Sequence, residues 1–241
     1  MQISSALNYP SPLIPAILLR RYKRFLADVA FADDVRATVH CPNTGSMLGC
    51  NTPGSRVWLS RSENPKRKYP CTWELVEVRP GTLVGINTSL PNQLVHEAMV
   101  QGRLPELGAI DSVRREVRFG REGSRVDLLV EGERGFTYVE VKNVTAAVND
   151  GIAVFPDAVT TRGSRHLREL MGVVEDGHSA ALVFCVQRED VREVRPADHI
   201  DPEYGATLRA ALAAGVEVIA LRATVRIKGI ELTHSIPLVC R

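Results

Sequence analysis

Short apolar runs separated by turn residues fill the first third of the chain. Each run has the length of a β-strand and is bounded by Gly, Pro, Asn or Asp, and helical spacing of apolar residues is almost absent before position 87. The runs cover residues 14–19, 24–31, 36–40, 56–60, 72–78 and 83–86. Five or six short strands with such turns predict a small β-barrel domain over residues 1–86.

The pattern changes at Asn87, where helical periods begin. Pro91 and Asn92 offer a helix start, and an apolar stripe with helical spacing runs to Gln101 before it stops at Gly102. A second amphipathic helix is predicted over residues 162–174, with an apolar stripe made of Leu167, Leu170, Met171 and Val174. These periods predict a second domain over residues 87–241.

Strand patterns lie between and after these two helices. Residues 113–119 alternate as a strand, and a hairpin follows over residues 126–142. Residues 180–187 form a continuous apolar run, which is typical of a buried strand. Asp201 and Pro202 predict the start of a further helix. The predicted core order is helix, three strands, helix, strand.

The length of the hairpin loop determines which residues of the two strands face each other. Two apolar-rich runs, residues 126–131 and 136–142, flank a four-residue loop that begins and ends with glycine. A symmetric loop pairs Glu131 with Phe136, and the same register places Asp127 opposite Glu140. Because strand side chains alternate between faces, we expect Asp127, Glu140 and Lys142 to converge on one patch of the sheet.

Two facing carboxylates and a lysine form a candidate metal site. Like charges directly opposite each other on a sheet are destabilising, so the pair requires a cation or a shared proton. Mg²⁺ is usually held by one or two carboxylates, with water and substrate phosphate completing its coordination. Lys142 is then placed to orient a water molecule or to neutralise charge on a phosphoryl group. The alternative is a solvated Glu140/Lys142 pair on an ordinary surface sheet.

Composition adds few constraints beyond these. The chain has 241 residues, 24% of them charged, and a formal net charge of +2, so nucleic-acid binding must depend on local basic patches. Five cysteines without C-x-x-C spacing predict reduced, mostly buried thiols in a cytoplasmic protein. The apolar run at residues 13–19 is followed by its positive charges and is too short to span a membrane.

Basic residues cluster at three places. Lys23 and Arg24 follow a predicted strand, and residues 66–68 (Lys-Arg-Lys) lie on a loop beside Tyr69. Basic residues next to aromatic ones suit a surface that follows phosphates and stacks bases, although solvated turns explain the same residues. Trp73 is expected in the core. The polar face of the second helix carries Arg162, Arg165, His166 and Glu169, and it either contacts phosphate or is simply solvated.

The chain resembles two known groups of proteins. Asp127 followed by Glu140-Val141-Lys142 is similar to the D…(D/E)-x-K signature of PD-(D/E)xK nucleases. Nearly the whole chain also resembles the sugar fermentation stimulation protein A family. The matching stretches are residues 24–29 (Arg-Phe-Leu-Ala-Asp-Val), 40–47 (His-Cys-Pro-Asn-Thr-Gly-Ser-Met), 64–69 (Asn-Pro-Lys-Arg-Lys-Tyr), 155–158 (Phe-Pro-Asp-Ala), 161–163 (Thr-Arg-Gly), 166–167 (His-Leu) and 201–202 (Asp-Pro).

The resemblance implies a fold and further site residues. It makes the barrel an OB-fold that binds nucleic acid and the second domain a restriction-endonuclease-like αβββαβ core. In such nucleases a helix before the sheet often lends a carboxylate to the metal, and Glu97 is the matching position. An exposed helical glutamate is the alternative for Glu97.

The hypothesis from sequence is therefore a Mg²⁺- or Mn²⁺-dependent phosphodiesterase that acts on DNA. Asp127, Glu140 and the Val141 carbonyl would bind the metal, and Lys142 would position the attacking water. Lys23, Arg24, Lys66, Arg67, Lys68, Arg162 and His166 would contact the nucleic acid. Two alternatives stay open, a DNA-binding regulator of sugar metabolism with a vestigial nuclease site and an enzyme acting on a phosphorylated sugar. Strandedness, specificity and oligomeric state are left open by the sequence.

Overall fold

The N-terminal unit of the fold is a five-stranded barrel with a sixth strand at its edge. The structure, a computed structural model, describes residues 6–120, 123–149 and 151–240. The strands of this unit are β2 (Ile14–Tyr22), β3 (Leu26–Ala30), β4 (Arg36–His40), β5 (Arg56–Arg61), β6 (Cys71–Arg79) and β7 (Thr82–Gly85). They pair in the order β4-β3-β2-β5-β6-β7, and a bridge between His40 and Thr72 joins β4 to β6. This bridge closes β2 to β6 into the barrel, and β7 is added beside β6. All six predicted strands are present, and the OB-fold is confirmed.

Trp73 lies in the centre of the barrel core, as predicted. Its side chain is fully buried, and its indole Nε1 donates a hydrogen bond of 2.9 Å to the carbonyl of Leu75. The surrounding core is built from β-branched and leucine side chains such as Leu18, Val29 and Leu59. This packing explains why an aromatic residue beside a basic loop is not available for base stacking.

We expect Trp73→Phe to lower the free energy of unfolding by about 1–3 kcal/mol, because it shrinks a packed core residue and leaves the Leu75 carbonyl without its donor. Urea unfolding followed by circular dichroism measures the change. Phe25→Leu, at a ring that is 46% exposed, serves as the control with little effect. Equal stability of the two variants would contradict the assigned core role.

The second unit is a mixed α/β structure. Its strands are β1 (Leu7–Asn8), β8 (Ile110–Phe119), β9 (Ser124–Gly132), β10 (Gly135–Val144), β11 (Ala147–Asn149), β12 (Gly151–Phe155), β13 (Ser179–Val186), β14 (Val191–Pro196), β15 (Glu217–Arg226) and β16 (Gly229–Ile236). A seven-stranded sheet has the order β1-β16-β15-β13-β10-β9-β8, and a smaller sheet has the order β11-β12-β14. The predicted αβββαβ order is confirmed, with β11 and β12 inserted before the second helix.

Three helices cover the two faces of this sheet. They are α1 (Pro91–Val100), α2 (Thr161–Glu175) and α3 (Pro202–Ala213), and a short 3-10 helix (Pro105–Leu107) follows α1. Helix α1 packs on one face, while α2 and α3 pack together on the other. Asp201 caps α3 by accepting from the Tyr204 N–H, as its position before Pro202 predicted, and Thr160 caps α2.

The β9–β10 hairpin has the predicted register. Five residue pairs are formed, from Gly132 with Gly135 to Leu128 with Val139. The two glycines pair with each other, so the connecting turn is shorter than the predicted loop and contains only Glu133 and Arg134. Gly132 must lack a side chain because a Cβ there would lie 2.0 Å from the Ala109 carbonyl oxygen.

The barrel contacts the second unit beside the end of β10. The Gly85 N–H donates to the Gln187 carbonyl at 2.9 Å, and the Gln187 side chain donates to Asn143 Oδ1 at 2.7 Å. Asp157 accepts from the Ser46 hydroxyl and the Met47 N–H across the same boundary. The barrel is therefore held next to Asn143, the neighbour of Lys142 in sequence.

The cysteines agree with the prediction of reduced, mostly buried thiols. All five cysteines are free thiols, and four of them are buried. Within the described parts of the chain, none of the helices has the length and apolar character needed to cross a membrane.

Candidate active site

The regular pairing of strands is interrupted at Asp127. The register with β10 ends at Leu128, and the register with β8 pairs Arg115 with Leu128 and Val117 with Val126, passing over Glu116 and Asp127. Glu116 has a φ of 54°, in the left-handed region that a non-glycine residue enters at a cost. The strand ladder is thus open around the predicted metal ligand.

The side-chain alternation of β9 also changes at Asp127. Leu128 packs on the α1 face of the sheet, whereas Val126, two residues earlier, packs on the α2 face. Residues two apart share a face in a regular strand, so β9 rotates between these two positions. Asp127 consequently lies at the edge between the two faces. It does not simply occupy the face of Glu140, as unbroken alternation predicted.

The Asp127 carboxylate is held from two sides. Asn92 of α1 donates to Oδ1 at 2.9 Å, and the backbone N–H of Val141 donates to Oδ2 at 2.8 Å. Burial and the nearby charge of Glu140 raise the pKa of Asp127 above its ordinary value, and these effects outweigh its hydrogen bonds and Lys142. The two predicted carboxylates are therefore close enough to repel each other.

Glu140 is the more deeply buried of the two carboxylates, with 3% of its surface exposed. Its Oε1 accepts from Lys142 Nζ at 2.6 Å and forms a short hydrogen bond with His166 Nδ1. Burial alone raises the pKa of Glu140, but the bonds to His166 and Lys142 outweigh burial and hold it below its usual range. Glu140 is thus kept ionised inside the protein.

The assignment of His166 to a phosphate-binding surface needs correction. His166 is 3% exposed, and Glu169 on the same predicted polar face is also buried. Helix α2 packs between the sheet and α3, so it is buried on more than the leucine side. Because the Arg162 guanidinium can only donate, its bond to His166 Nε2 (3.3 Å) places the ring proton on Nδ1, facing Glu140.

The Val141 carbonyl, predicted as a metal ligand, faces the open part of the ladder. Its own N–H points to Asp127, and in an extended strand the N–H and C=O of one residue project toward the same neighbour. The register with β9 has ended two residues earlier, at Val139. The carbonyl oxygen therefore points to the side where Asp127 lies.

Glu97, the remaining predicted ligand, is not brought into this group. It is half-buried on α1 and accepts a hydrogen bond of 3.0 Å from Gln93 on the same helix. Asn92, which does reach Asp127, lies on the other edge of the buried stripe of α1. Among the residues that the structure describes, no three His, Cys, Asp or Glu side chains converge in a metal-binding group.

The predicted basic residues of the barrel lie on two exposed loops. Lys23 and Arg24 form the β2–β3 turn, where Arg24 donates to the Thr44 carbonyl, and Arg67 donates to Thr72 beside the closing bridge. Lys68 lies over the ring of Tyr69, 5.6 Å from its centroid. Both loops flank residues 40–47, the segment that contacts Asp157. Arg162 is exposed on α2.

Sequence reasoning missed a second basic surface, the arginine strip, formed by Arg115, Arg118 and Arg125. Arg118 of β8 lies directly opposite Arg125 of β9, and all three side chains are exposed. None of them forms an ion pair with any residue in the described ranges. Like charges facing each other destabilise a sheet unless an anion lies between them. The signal was present as five arginines between positions 114 and 125.

The residues present fit a divalent cation. Glu140 Oε2 is buried and accepts no hydrogen bond from any residue that the structure describes. A buried carboxylate oxygen in that state carries a large desolvation cost, which a bound cation removes. Hard divalent cations prefer carboxylate and carbonyl oxygens, the atoms that Asp127, Glu140 and Val141 offer.

Comparisons with known proteins agree with this architecture. The sequence model of the SfsA N-terminal OB domain matches residues 19–86, and that of the sugar fermentation stimulation protein RE domain matches residues 89–229. The sugar fermentation stimulation protein homolog of Thioalkalivibrio sulfidiphilus is 60% identical, with 94% of this chain and 95% of the relative covered. The homolog of Alkalilimnicola ehrlichii is 56% identical, with 96% and 99% covered.

A solved structure extends the comparison to the whole fold. The SfsA of Pyrococcus furiosus, determined in complex with Ca²⁺, is 29% identical and superimposes with a TM-score of 0.87. The superposition covers 97% of this chain and 99% of that one. Two matched domain models, relatives aligned over nearly their whole length and a shared fold show that the chain belongs to the sugar fermentation stimulation protein (SfsA) family.

Proposed function

We propose that this protein is a divalent-metal-dependent nuclease that hydrolyses phosphodiester bonds in DNA, with Asp127, Glu140 and Lys142 at its catalytic centre. The observation that carries the proposal is Glu140 Oε2, a buried carboxylate oxygen without a hydrogen bond from any described residue, next to the half-buried carboxylate of Asp127. Most buried carboxylate oxygens in proteins accept a hydrogen bond, so an oxygen that lacks one beside a second carboxylate is suited to binding a cation.

Asp127, Glu140 and the Val141 carbonyl are the proposed ligands of Mg²⁺ or Mn²⁺. The Ca²⁺ bound by the Pyrococcus furiosus relative supports the use of a divalent cation. A bound ion of this kind polarises a phosphoryl oxygen and lowers the pKa of a water ligand. Asn92 and the Val141 N–H fix the Asp127 carboxylate, and His166 orients Glu140 as a positioning residue.

Lys142 has two roles in this proposal. Its ammonium group lies 2.6 Å from Glu140 Oε1 and is mostly buried, with 14% of the side chain exposed. In that place it holds a water molecule for attack on phosphorus and compensates negative charge in the transition state. The bond to Glu140 keeps the long side chain in one conformation before substrate binds.

The arginine strip and the basic loops of the barrel are the proposed phosphate contacts. Arg118 and Arg125 lie on the sheet edge beside Asp127, while Lys23, Arg24 and residues 66–68 (Lys-Arg-Lys) lie on the barrel. Arg162 is an exposed cation near Glu140 through its bond to His166. DNA that contacts both units would pass the catalytic centre.

The decisive experiment is a cleavage assay on single-stranded, double-stranded and flapped DNA with Mg²⁺, Mn²⁺ or EDTA. Wild type is compared with Asp127→Ala and Glu140→Ala. We expect cutting only with the divalent ions and only by wild type. Metal-independent cutting, or cutting that survives in Glu140→Ala, would refute the assigned centre.

The arginine strip makes a separate prediction about salt dependence. We expect Arg118→Ala and Arg125→Ala each to weaken DNA binding at low salt and to lower the slope of log affinity against log salt by about 1. Fluorescence anisotropy with a labelled oligonucleotide measures both quantities. Arg195→Ala is the control, because Arg195 is paired with Glu193 on β14. An unchanged slope in both strip variants would exclude this surface.

The second candidate function is a DNA-binding regulator that no longer cleaves. It is favoured by the small number of side chains that could bind a metal, since among the described residues only the two carboxylates of Asp127 and Glu140 come together. Such a protein would bind in the assay above without cutting under any metal, and it would prefer particular DNA sequences. In either case we place the protein in the cytoplasm, where its free thiols would stay reduced.

A further inference from the structure

A cavity of about 540 Å³ lies between the second half of α2 and the ends of β8 and β10. Its volume is within the range of small-molecule sites, roughly 300–1,000 Å³. We call it the aromatic pocket. Its walls include Phe119, Tyr138, Arg168, Glu169, Gly172 and His178.

Three rings stand together at this pocket. The centroid of Tyr138 is 5.7 Å from that of Phe119 and 5.9 Å from that of His178. His178 is exposed and Tyr138 half-buried, so part of the cluster is open to a ligand. A further ring, Phe136, is 37% exposed beside His178, with the Arg114 guanidinium above it. Exposed rings with a cation above them are typical of surfaces that stack nucleobases.

The pocket is adjacent to the proposed catalytic centre. Tyr138 and Glu140 are two residues apart on β10 and share a face of the sheet, which puts their Cα atoms roughly 6.6 Å apart. On α2, Glu169 lines the pocket one turn after His166, the partner of Glu140. A nucleotide whose phosphate lies at Glu140 therefore has its neighbour's base within reach of Tyr138.

The charges of the pocket walls favour binding of the base of a nucleotide over binding of its phosphate. Its walls carry the three carboxylates of Glu169, Glu175 and Asp176 against the single guanidinium of Arg168, so a phosphate group would meet net repulsion there. The arginines of the strip, which form no ion pair with any described residue, lie outside the pocket on β8 and β9 of the same sheet. A neutral base bound in the pocket would avoid this repulsion, and the anionic backbone of the same strand would remain outside, where the arginine strip can contact it.

From these observations we propose that the aromatic pocket holds one unpaired nucleobase, adjacent to the phosphodiester bond that the centre cleaves. This proposal rests on the proposed nuclease function and names its substrate class, DNA with an unpaired base at the cleavage position. A paired base would first have to be extruded from the duplex, at a cost that single-stranded DNA does not carry.

Gly172 allows the pocket to be filled without disturbing the rings. A Cβ at this position meets no atom within 4 Å, and the residue lies within α2 with an ordinary helical φ. Gly172→Leu therefore extends a side chain into the cavity and strengthens the helix. Gly172→Ala improves the helix in the same way but leaves most of the cavity open.

The test uses short single-stranded oligonucleotides with one 2-aminopurine at successive positions and a distant dye for anisotropy, in Ca²⁺. Stacking on an aromatic ring quenches 2-aminopurine. We expect quenching at one position with wild type, retained in Gly172→Ala and lost in Gly172→Leu. The leucine variant should also bind single strands about 5- to 150-fold more weakly, the range for one stacked base. Ala210→Leu, on the exposed side of α3, controls for an added leucine.

Two results would overturn the pocket assignment. One is DNA binding by wild type without quenching at any position, and the other is equal behaviour of Gly172→Leu and Gly172→Ala. Cleavage of the same oligonucleotides in Mg²⁺ or Mn²⁺ is measured in parallel. Cleavage without quenching would refute the base-binding role of the pocket and support the nuclease function. Quenching without cleavage would support base binding in the pocket and refute the nuclease function. Failure to bind DNA removes both.

Discussion

Asp127→Asn is expected to abolish metal-dependent cleavage while leaving the protein at least as stable as wild type. The substitution removes one of two negative ligands, and metal catalysis contributes several kcal/mol, so the rate should fall by about 10³-fold or more. The shape of the side chain is kept. The Asn oxygen can still accept from the Val141 N–H, and the Asn92 amide can turn its own oxygen toward the new NH₂ group.

The stability part of this prediction follows from the direction of the Asp127 pKa. Burial and Glu140 raise that pKa in the folded protein, so the ionised form is disfavoured by folding and its cost is present above the ordinary carboxyl pKa. A neutral amide removes the repulsion between Asp127 and Glu140. At neutral pH the free energy of unfolding should rise or stay within about 1 kcal/mol of wild type.

Cleavage assays and urea unfolding on the same preparations check both parts. Asn92→Asp is a useful companion, because it adds a third carboxylate instead of removing one and should destabilise the protein without metal. A stable Asp127→Asn protein that still cuts DNA would remove Asp127 from the centre. A large loss of stability would show that Asp127 is mainly structural.

The second large effect is expected from His166→Leu, which should lower the free energy of unfolding by about 2–4 kcal/mol. The reason is Glu140, whose carboxylate is 4% exposed and would lose one of its two partners. Combining His166→Leu with Glu140→Gln removes the buried charge as well. The double variant should therefore lose less stability than the two single variants together, with a coupling of at least about 1 kcal/mol.

Urea unfolding of the four proteins in this cycle gives the coupling directly. His199→Leu, at an exposed histidine near the start of α3, is the control and should change little. Strict additivity of the two substitutions would mean that His166 does not support Glu140. In that case its burial would have a packing role only.

The strongest parts of the sequence prediction were those governed by local rules. The two glycines around Glu133 and Arg134 fixed the β9–β10 register, which placed Asp127 near Glu140. Asp201 before Pro202 and the leucine spacing of α2 located two helices, because caps and periodicity act within a few residues. The barrel strands were found for the same reason.

What failed depended on contacts distant in sequence. His166 was assigned to the polar face of α2 and expected at the surface, but it lies one turn before Leu170 at the border of the leucine stripe, and α3 covers that side. The rotation of β9 at Asp127 has no local signal, since it arises where β10 stops pairing with β9 and β8 skips one pair. The strands β1, β14 and β16 are short or polar and acquire their strand conformation from partners elsewhere in the chain.

The pairing of β1 with β16 has a consequence for synthesis on the ribosome. Leu7 and Asn8 pair with Ile230 and Gly229. The first described strand therefore cannot form its pairing until the last described strand has been synthesised. A nascent chain can close the barrel early, but the outer edge of the large sheet stays uncovered until the final segment has emerged. Unpaired edges of that kind promote aggregation, so interrupted translation should yield insoluble products.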